Sequence, residues 1–361
     1  MATRRKRLIL WSAIVSTGLL LSLAYAFERM TEAPMFVPGS VAERIAARGE
    51  TLQPQASDPA PDRWQVTHDV TLHRVSLGSG PPVLFVHGGP GFPPLQPPAA
   101  LTSLARDHTV HVYHQRGCGH STRPLHAAPA GSFYAKLKAV EDQLGLAEQL
   151  ADIERIRRRL GADQLRLVGH SFGGLIAALY AAEFPARVSH LLLVAPAPLV
   201  VMPKPGPDLF ALTRERLPGS ERKAYDDYLA RYFDFGWALD RDDETLGRFY
   251  AEFQTFHARA TGTAVQPQPS AAGGFLVLAT YASLGQRHDY RPAFARITAH
   301  TLVLHGARDL SPEADSRAVA EAIPGAQHER VSAGHFILEE APEAVAAALA
   351  KLESMAALSA R

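Results

Sequence analysis

The stretch Leu167-Val168-Gly169-His170-Ser171-Phe172-Gly173-Gly174 decides how this chain reads. An apolar run suited to a buried strand ends in Gly-x-Ser-x-Gly and passes at once into Leu175-Ile176-Ala177-Ala178, which suits a helix. That is the pattern of a nucleophile elbow, a tight strand-to-helix turn that lifts a serine hydroxyl above the edge of a sheet. The helix that starts just after Ser171 turns its positive end toward any negative charge developing there.

Three further segments surround the elbow in a meaningful order. Upstream, Val83-Leu84-Phe85-Val86 runs into His87-Gly88-Gly89-Pro90-Gly91, a strand followed by a glycine-rich loop. Downstream, Thr301-Leu302-Val303-Leu304 leads to Gly306-Ala307-Arg308-Asp309, a second apolar strand with an acid past its end. Last comes Val331-Ser332-Ala333-Gly334-His335. A serine hydroxyl is inert at neutral pH unless a base takes its proton as it attacks, and a third group must orient that base. Ser171 is therefore the candidate nucleophile, His335 the base and Asp309 the orienting acid. Glu313 and Asp315 rival Asp309 but fall inside the following helix. Backbone N–H groups of Phe172 and Gly89, with Gly88 as the alternative, are the candidate oxyanion donors.

The chain order Ser, Asp, His is that of the α/β-hydrolase triad. His87-Gly88-Gly89-Pro90-Gly91 followed by Gln115-Arg116-Gly117-Cys118-Gly119 resembles the proline iminopeptidase (prolyl aminopeptidase) family of that superfamily, over roughly residues 64–356. The resemblance implies a mostly parallel sheet with helices on both faces, an inserted helical cap, and acyl transfer through the triad. The chain departs from the family pattern in three ways. His114 stands where an Asp precedes Gln-Arg-Gly, Phe172 follows the serine in place of Trp, and the middle region has no clear Trp-x-x-Trp-Glu segment.

The first thirty residues read apart from the fold. Arg4, Arg5, Lys6 and Arg7 precede an uncharged run from Leu8 to Phe27. This suits a signal anchor of bilayer length, with a Pro- and Ala-rich linker at 31–62 as a stalk. It equally suits a signal peptide cleaved after Ala24-Tyr25-Ala26. The expected placement is membrane-anchored with the catalytic part outside the cytoplasm, or secreted or periplasmic if cleaved.

Of the remaining chain, 63–197 and 293–361 read as the α/β-hydrolase core. A hairpin is expected within 64–77, strands at 82–87, 109–114, 165–170 and 190–195, and one long amphipathic helix over 139–160 ending at Gly161. Regular alternation stops at 198–292, which reads as the cap. Tyr225, Tyr228, Tyr232, Trp237, Phe249 and Phe253 give it a core of its own. Trp237 is the candidate for packing on substrate. Asp234, Asp240, Glu244 and Glu252 lie among these aromatics, and Glu252 is the candidate to meet a substrate ammonium, a role that only the family resemblance suggests.

Composition limits the remaining classes. With 361 residues, 47% hydrophobic content and a net charge of +1, nothing favours nucleic acid as a partner. The single cysteine, Cys118, excludes an intrachain disulfide and reads as structural. His108, His111 and His114 fall on one strand, where 111 points away from the other two, so a metal site is not expected. His170 and His305 read as packing or hydrogen-bonding residues. No cofactor is called for. The expected activity is hydrolysis of an amide or ester through an acyl-enzyme, leaning to an aminopeptidase on short peptides. A carboxylesterase or lactonase on small apolar esters is the alternative, and a non-catalytic ligand receptor of the same fold is a third reading.

Overall fold

Leu84 and Val86 pack into one apolar cluster while Val83 and Phe85, between and beside them, pack into another. The same division separates Leu167 from Val168, Leu191 from Leu192 and Val303 from Leu302. Successive strand residues face opposite sides, so strands apolar at every position must be covered on both faces. The fold follows from that requirement. A computed structural model describes residues 33–263 and 268–359.

The main sheet is built from β1 (Arg63–Gln65), β2 (Thr71–Leu77), β3 (Pro82–Val86), β4 (Thr109–Tyr113), β5 (Leu165–His170) and β6 (Val188–Val194). A short β7 (Val201–Met202) pairs with β8 (His288–Asp289) outside it, and β9 (His300–Gly306) and β10 (Gln327–Val331) complete the main sheet. The order is β1-β2-β4-β3-β5-β6-β9-β10. The opening hairpin is antiparallel and β2 runs antiparallel to β4, while every pairing from β4 through β10 is parallel. This is the α/β-hydrolase architecture expected from the sequence. The chain leaves β3 toward β4 on one side and returns to β5 on the other. The loops after β3 and β5 therefore diverge above the sheet, where open α/β sheets bind their ligands.

Helices Leu146–Arg159 and Phe172–Glu183 cover one face, and Ala99–Leu104 and Pro342–Ser359 the other. Between β6 and β9 the chain forms helices at Leu209–Arg216, Gly219–Tyr232, Phe235–Leu239, Asp243–Thr261 and Phe275–Leu284. Their aromatic cluster is shared with Cys118, Leu137, Val140 and Leu144, so this excursion packs against earlier segments.

Three expectations are corrected. The single helix over 139–160 is two, Phe133–Leu144 and Leu146–Arg159, meeting at Gly145. A Cβ there would lie 2.5 Å from both the Glu141 carbonyl oxygen and the Ser283 hydroxyl. Ser283 accepts the Leu146 N–H at 2.9 Å and so caps the second helix from a segment far away in sequence. The Pro- and Ala-rich stretch is not a free stalk over its described part. Helix Val41–Ala47 packs with Phe36, Val41 and Ile45 fully buried in the main core. The membrane-spanning expectation and the localisation drawn from it are also corrected. Among the described residues no helix is long and apolar enough to cross a membrane. The run from Leu8 to Phe27 that prompted them lies outside the described residues.

Candidate active site

Ser171 follows β5 with φ +54° and ψ −123°, a conformation that side-chain-bearing residues rarely adopt. Its backbone is tied on both sides. Its N–H donates to the Val194 carbonyl at 3.0 Å, and its carbonyl accepts from Ala197 N–H at 2.9 Å. Gly173 explains the second small position of the elbow: a Cβ there would lie 2.1 Å from the Val86 carbonyl oxygen. The elbow helix therefore presses directly against the end of β3, which draws the glycine-rich loop to the serine.

His335 Nδ1 lies 2.8 Å from Asp309 Oδ2, and its Nε2 lies 3.0 Å from Ser171 Oγ. The carboxylate accepts the Nδ1 proton, leaving Nε2 to accept the serine hydroxyl. Asp309 is held by the Ser311 N–H on its other oxygen at 3.0 Å. Burial alone would raise the Asp309 pKa, but the charge and hydrogen bond of His335 hold it down at about 2. Burial would likewise lower the His335 pKa, and Asp309 outweighs it, leaving His335 above the ordinary imidazole value. The rival acids are committed elsewhere. Asp315 receives Lys204 Nζ at 2.7 and 2.8 Å, and Glu313 pairs with Arg317 at 2.5 Å.

Two contacts hold the histidine loop. His170 Nε2–H donates to the His335 carbonyl at 3.0 Å, and burial keeps His170 neutral with a pKa near 4. Glu340 accepts the Gly334 N–H at 2.9 Å and the Arg308 guanidinium at 2.7 Å. His170 is thus the hydrogen-bonding residue its position suggested. His305 lines the same cleft as Asp309.

On the other side of Ser171 stands the loop after β3. A Cβ on Gly88 would lie 2.9 Å from Ser171 Cβ and 3.4 Å from the Phe172 nitrogen. Gly89 lines the same cleft as Ser171 and Phe172. Gly88 thus packs against the elbow, while Gly89 and Phe172 share a cleft with Ser171.

The cleft above them holds about 910 Å³. Its walls are largely apolar and include Leu137, Phe172, Pro196, Leu199, Phe210 and Tyr281. Phe133, Tyr134 and Phe233 stand on its wall 40, 53 and 48% exposed. Neither nominated substrate contact in the middle region faces it. Trp237 packs against Phe249 with ring centroids 4.8 Å apart and planes tilted by 57°, and lies under the Arg241 guanidinium. Glu252 faces solvent from the helix Asp243–Thr261. Asp240 pairs with Lys136 and Glu244 with Arg248. Asp234 does reach the cleft, where one oxygen caps the helix at Trp237 N–H, and Asp208 lies there too, capping Ala211 N–H. The helical period showed which residues share a face. It did not show which face meets the serine.

Of the three histidines expected on one strand, only His111 lies within β4, with His108 and His114 flanking it, and they take separate partners. His108 binds the Leu104 carbonyl and Glu353, His111 the Ser76 hydroxyl, and His114 the Pro94 carbonyl and His120 N–H. Cys118 is buried with its S–H on the Gln115 carbonyl at 3.2 Å, and burial pushes its thiol pKa well up. It is therefore a packed thiol, not a reactive one.

The profile of a family described as alpha/beta hydrolase fold matches residues 81–342. A proline iminopeptidase of Heyndrickxia coagulans is 34% identical over 134 residues, 36% of this chain and 41% of that protein. A 1-acylglycerol-3-phosphate O-acyltransferase ABHD5 of Rattus norvegicus is 33% identical over 124 residues, 34% of this chain and 31% of that protein. The matched stretches thus span less than half of these curated relatives. The enol-lactonase of Burkholderia xenovorans superposes with a TM-score of 0.50 at 19% identity, covering 80% of this chain and 98% of that one.

Proposed function

The chain belongs to the alpha/beta hydrolase fold family, and on that premise we propose that it is a serine hydrolase whose preferred substrate is an ester with a bulky apolar acyl group. The observation that carries this reading is the Asp309–His335–Ser171 relay opening on a wide, mostly apolar cleft. Ser171 Oγ attacks the ester carbonyl carbon as its proton passes to His335 Nε2. The negative oxygen that forms is held by N–H groups of Phe172 and Gly89. The acyl–oxygen bond then breaks, and the departing alcohol takes the proton from His335. Water repeats the sequence on the acyl-enzyme, releasing a carboxylic acid and restoring the serine. Each oxyanion donor contributes roughly 10²–10³ in rate.

The size of the cleft supports the acyl preference. Ligand sites span roughly 300–1,000 Å³, and this one, at about 910 Å³, far exceeds what a prolyl residue fills. Solvent exposure of Glu252 removes the acid nominated for a substrate amine.

The aminopeptidase reading has one structural point in its favour, the carboxylates of Asp208 and Asp234 on the cleft wall. The test measures kcat/KM on p-nitrophenyl butyrate, p-nitrophenyl octanoate, prolyl-p-nitroanilide and its N-acetyl form, with Ser171→Ala as the blank. Ester cleavage that rises from butyrate to octanoate, with little amide cleavage, is expected. A strong preference for the free prolyl amine over its acetylated form would overturn the ester reading in favour of the aminopeptidase. Labelling of Ser171 by a fluorophosphonate with no turnover of any substrate would favour a ligand receptor.

A further inference from the structure

His87 ends the apolar run of β3, is only 1% exposed, and does not line the cleft that holds Ser171. The acyl-transfer steps leave it without a task, yet both its ring nitrogens are engaged. Nε2 accepts the Gln115 backbone N–H at 3.1 Å. An amide N–H can only donate, so Nε2 carries a lone pair and the ring proton sits on Nδ1. Nδ1 lies 2.9 Å from the Gly88 carbonyl oxygen, which can only accept. The two bonds require the same neutral tautomer. Burial lowers the His87 pKa to about 4, so that tautomer persists at neutral pH. The Gln115 side-chain amide donates to the His87 carbonyl at 2.9 Å and pins the same segment from outside the ring.

We propose that His87 is a positioning residue that aims the Gly89 N–H at the oxyanion by holding the Gly88 carbonyl. This rests on the acyl-transfer reading above. The peptide joining Gly88 to Gly89 is trans, since the cis bonds among the described residues are those at Pro90 and Pro203. In a trans peptide the C=O and N–H lie in one plane and point in opposite directions. Fixing the carbonyl on the His87 side therefore turns the Gly89 N–H to the other side. The lining residues agree: His87 and Gly88 border a neighbouring cavity, whereas Gly89 borders the cleft of Ser171 and Phe172. The only other donor on that carbonyl among the described residues is Phe92 N–H, at a longer 3.3 Å. Glycines 88, 89 and 91 make the loop easy to rotate, and Gly89, at φ +126°, already occupies a region that other residues avoid. A donor in such a loop needs an external hold, because oxyanion stabilisation depends on dipoles that are already in place before the charge forms.

The test compares His87→Asn with His87→Leu in the full chain. The two side chains have nearly the same shape. Both lose the Nε2 acceptor, and only asparagine keeps an N–H near the Nδ1 position. His87→Leu is expected to lose 10²–10³-fold in kcat with KM within about threefold of the parent, because the missing interaction exists only in the transition state. His87→Asn should stay within about tenfold of the parent in kcat, while both variants show a similar fall in Tm. Equal kcat losses in the two variants, or a rise in KM with kcat unchanged, would show a packing role and overturn the proposal. If His87→Leu does not fold, ¹⁵N shifts of labelled histidines in the parent protein, assigned by the signal lost in His87→Asn, report the tautomer directly. A protonated Nδ1 supports the proposal and a protonated Nε2 overturns it. Ser171→Ala separates this failure from that of the underlying reading. A dead Ser171→Ala beside indistinguishable His87 variants removes the positioning role alone. An active one removes the acyl-transfer reading and this role with it.

Discussion

Gly306 and Gly334 touch backbone to backbone: a Cβ on Gly306 would sit 1.9 Å from the Gly334 carbonyl oxygen. This contact sets the height of the loop bearing His335 above the strand that leads to Asp309. Gly306→Ala must push the loop outward, separating His335 from Ser171. Overpacking of this kind costs about 1–3 kcal/mol. A drop of that size in urea unfolding, together with a kcat loss of at least 100-fold, is the expected outcome. Parental kcat in a destabilised variant would mean that the loop has another hold.

The acid limb of the pH profile should lie high. His335 must be neutral to act as a base, and Asp309 raises its pKa above 6.5. The neutral fraction therefore grows only as pH passes that raised value, and kcat/KM should fall below a midpoint above 6.5. Asp309→Asn removes the raising charge, so the midpoint should move down while kcat drops on the order of 10⁴-fold from loss of the correct tautomer. A midpoint unchanged by the substitution would argue against the pairing.

Arg116, next to Gln115, and Arg155 form a buried ion network with Glu148 and Asp152, and the half-buried Arg48 joins it through Glu148. Asp152 accepts Arg116 through both oxygens at 2.6 Å and Arg155 at 3.0 Å. Asp152→Ala leaves buried guanidinium groups short of an anion, which costs about 3–5 kcal/mol. Equilibrium unfolding in urea measures it. A change below 1 kcal/mol would mean that water or Glu148 compensates.

Tyr134 and Phe233 offer exposed rings on the cleft wall. Replacing either by alanine should raise KM for p-nitrophenyl octanoate about fivefold, equivalent to roughly 1 kcal/mol. The butyrate ester, too short to reach the rim, should keep its KM. Equal shifts for both esters would place the chain elsewhere.

Gly145 separates two helices where sequence period alone reads one. Gly145→Ala should destabilise by about 1–3 kcal/mol, since the new Cβ would meet Glu141 and Ser283 at 2.5 Å. A stabilised variant in thermal unfolding would indicate that the helices can join.

The sequence by itself determined the sheet, and it put Ser171, Asp309 and His335 past strand ends, where their side chains lie within hydrogen-bond reach of one another. A short continuous apolar run bounded by turn residues is a property of neighbours along the chain, and an elbow is specified by the few residues that build it. Ser171, Asp309 and His335 each follow a strand, so knowing the strands was enough to put them at one edge. The walls of the cleft were decided only by tertiary structure. Phe133, Leu137 and Tyr281 reach it from helices separated by more than a hundred residues, while Trp237 and Glu252 turn away from it. The break at Gly145 depends on Ser283, and the tautomer of His87 depends on Gln115. Such features arise from contacts between segments far apart in the chain, which local propensity and periodicity do not encode.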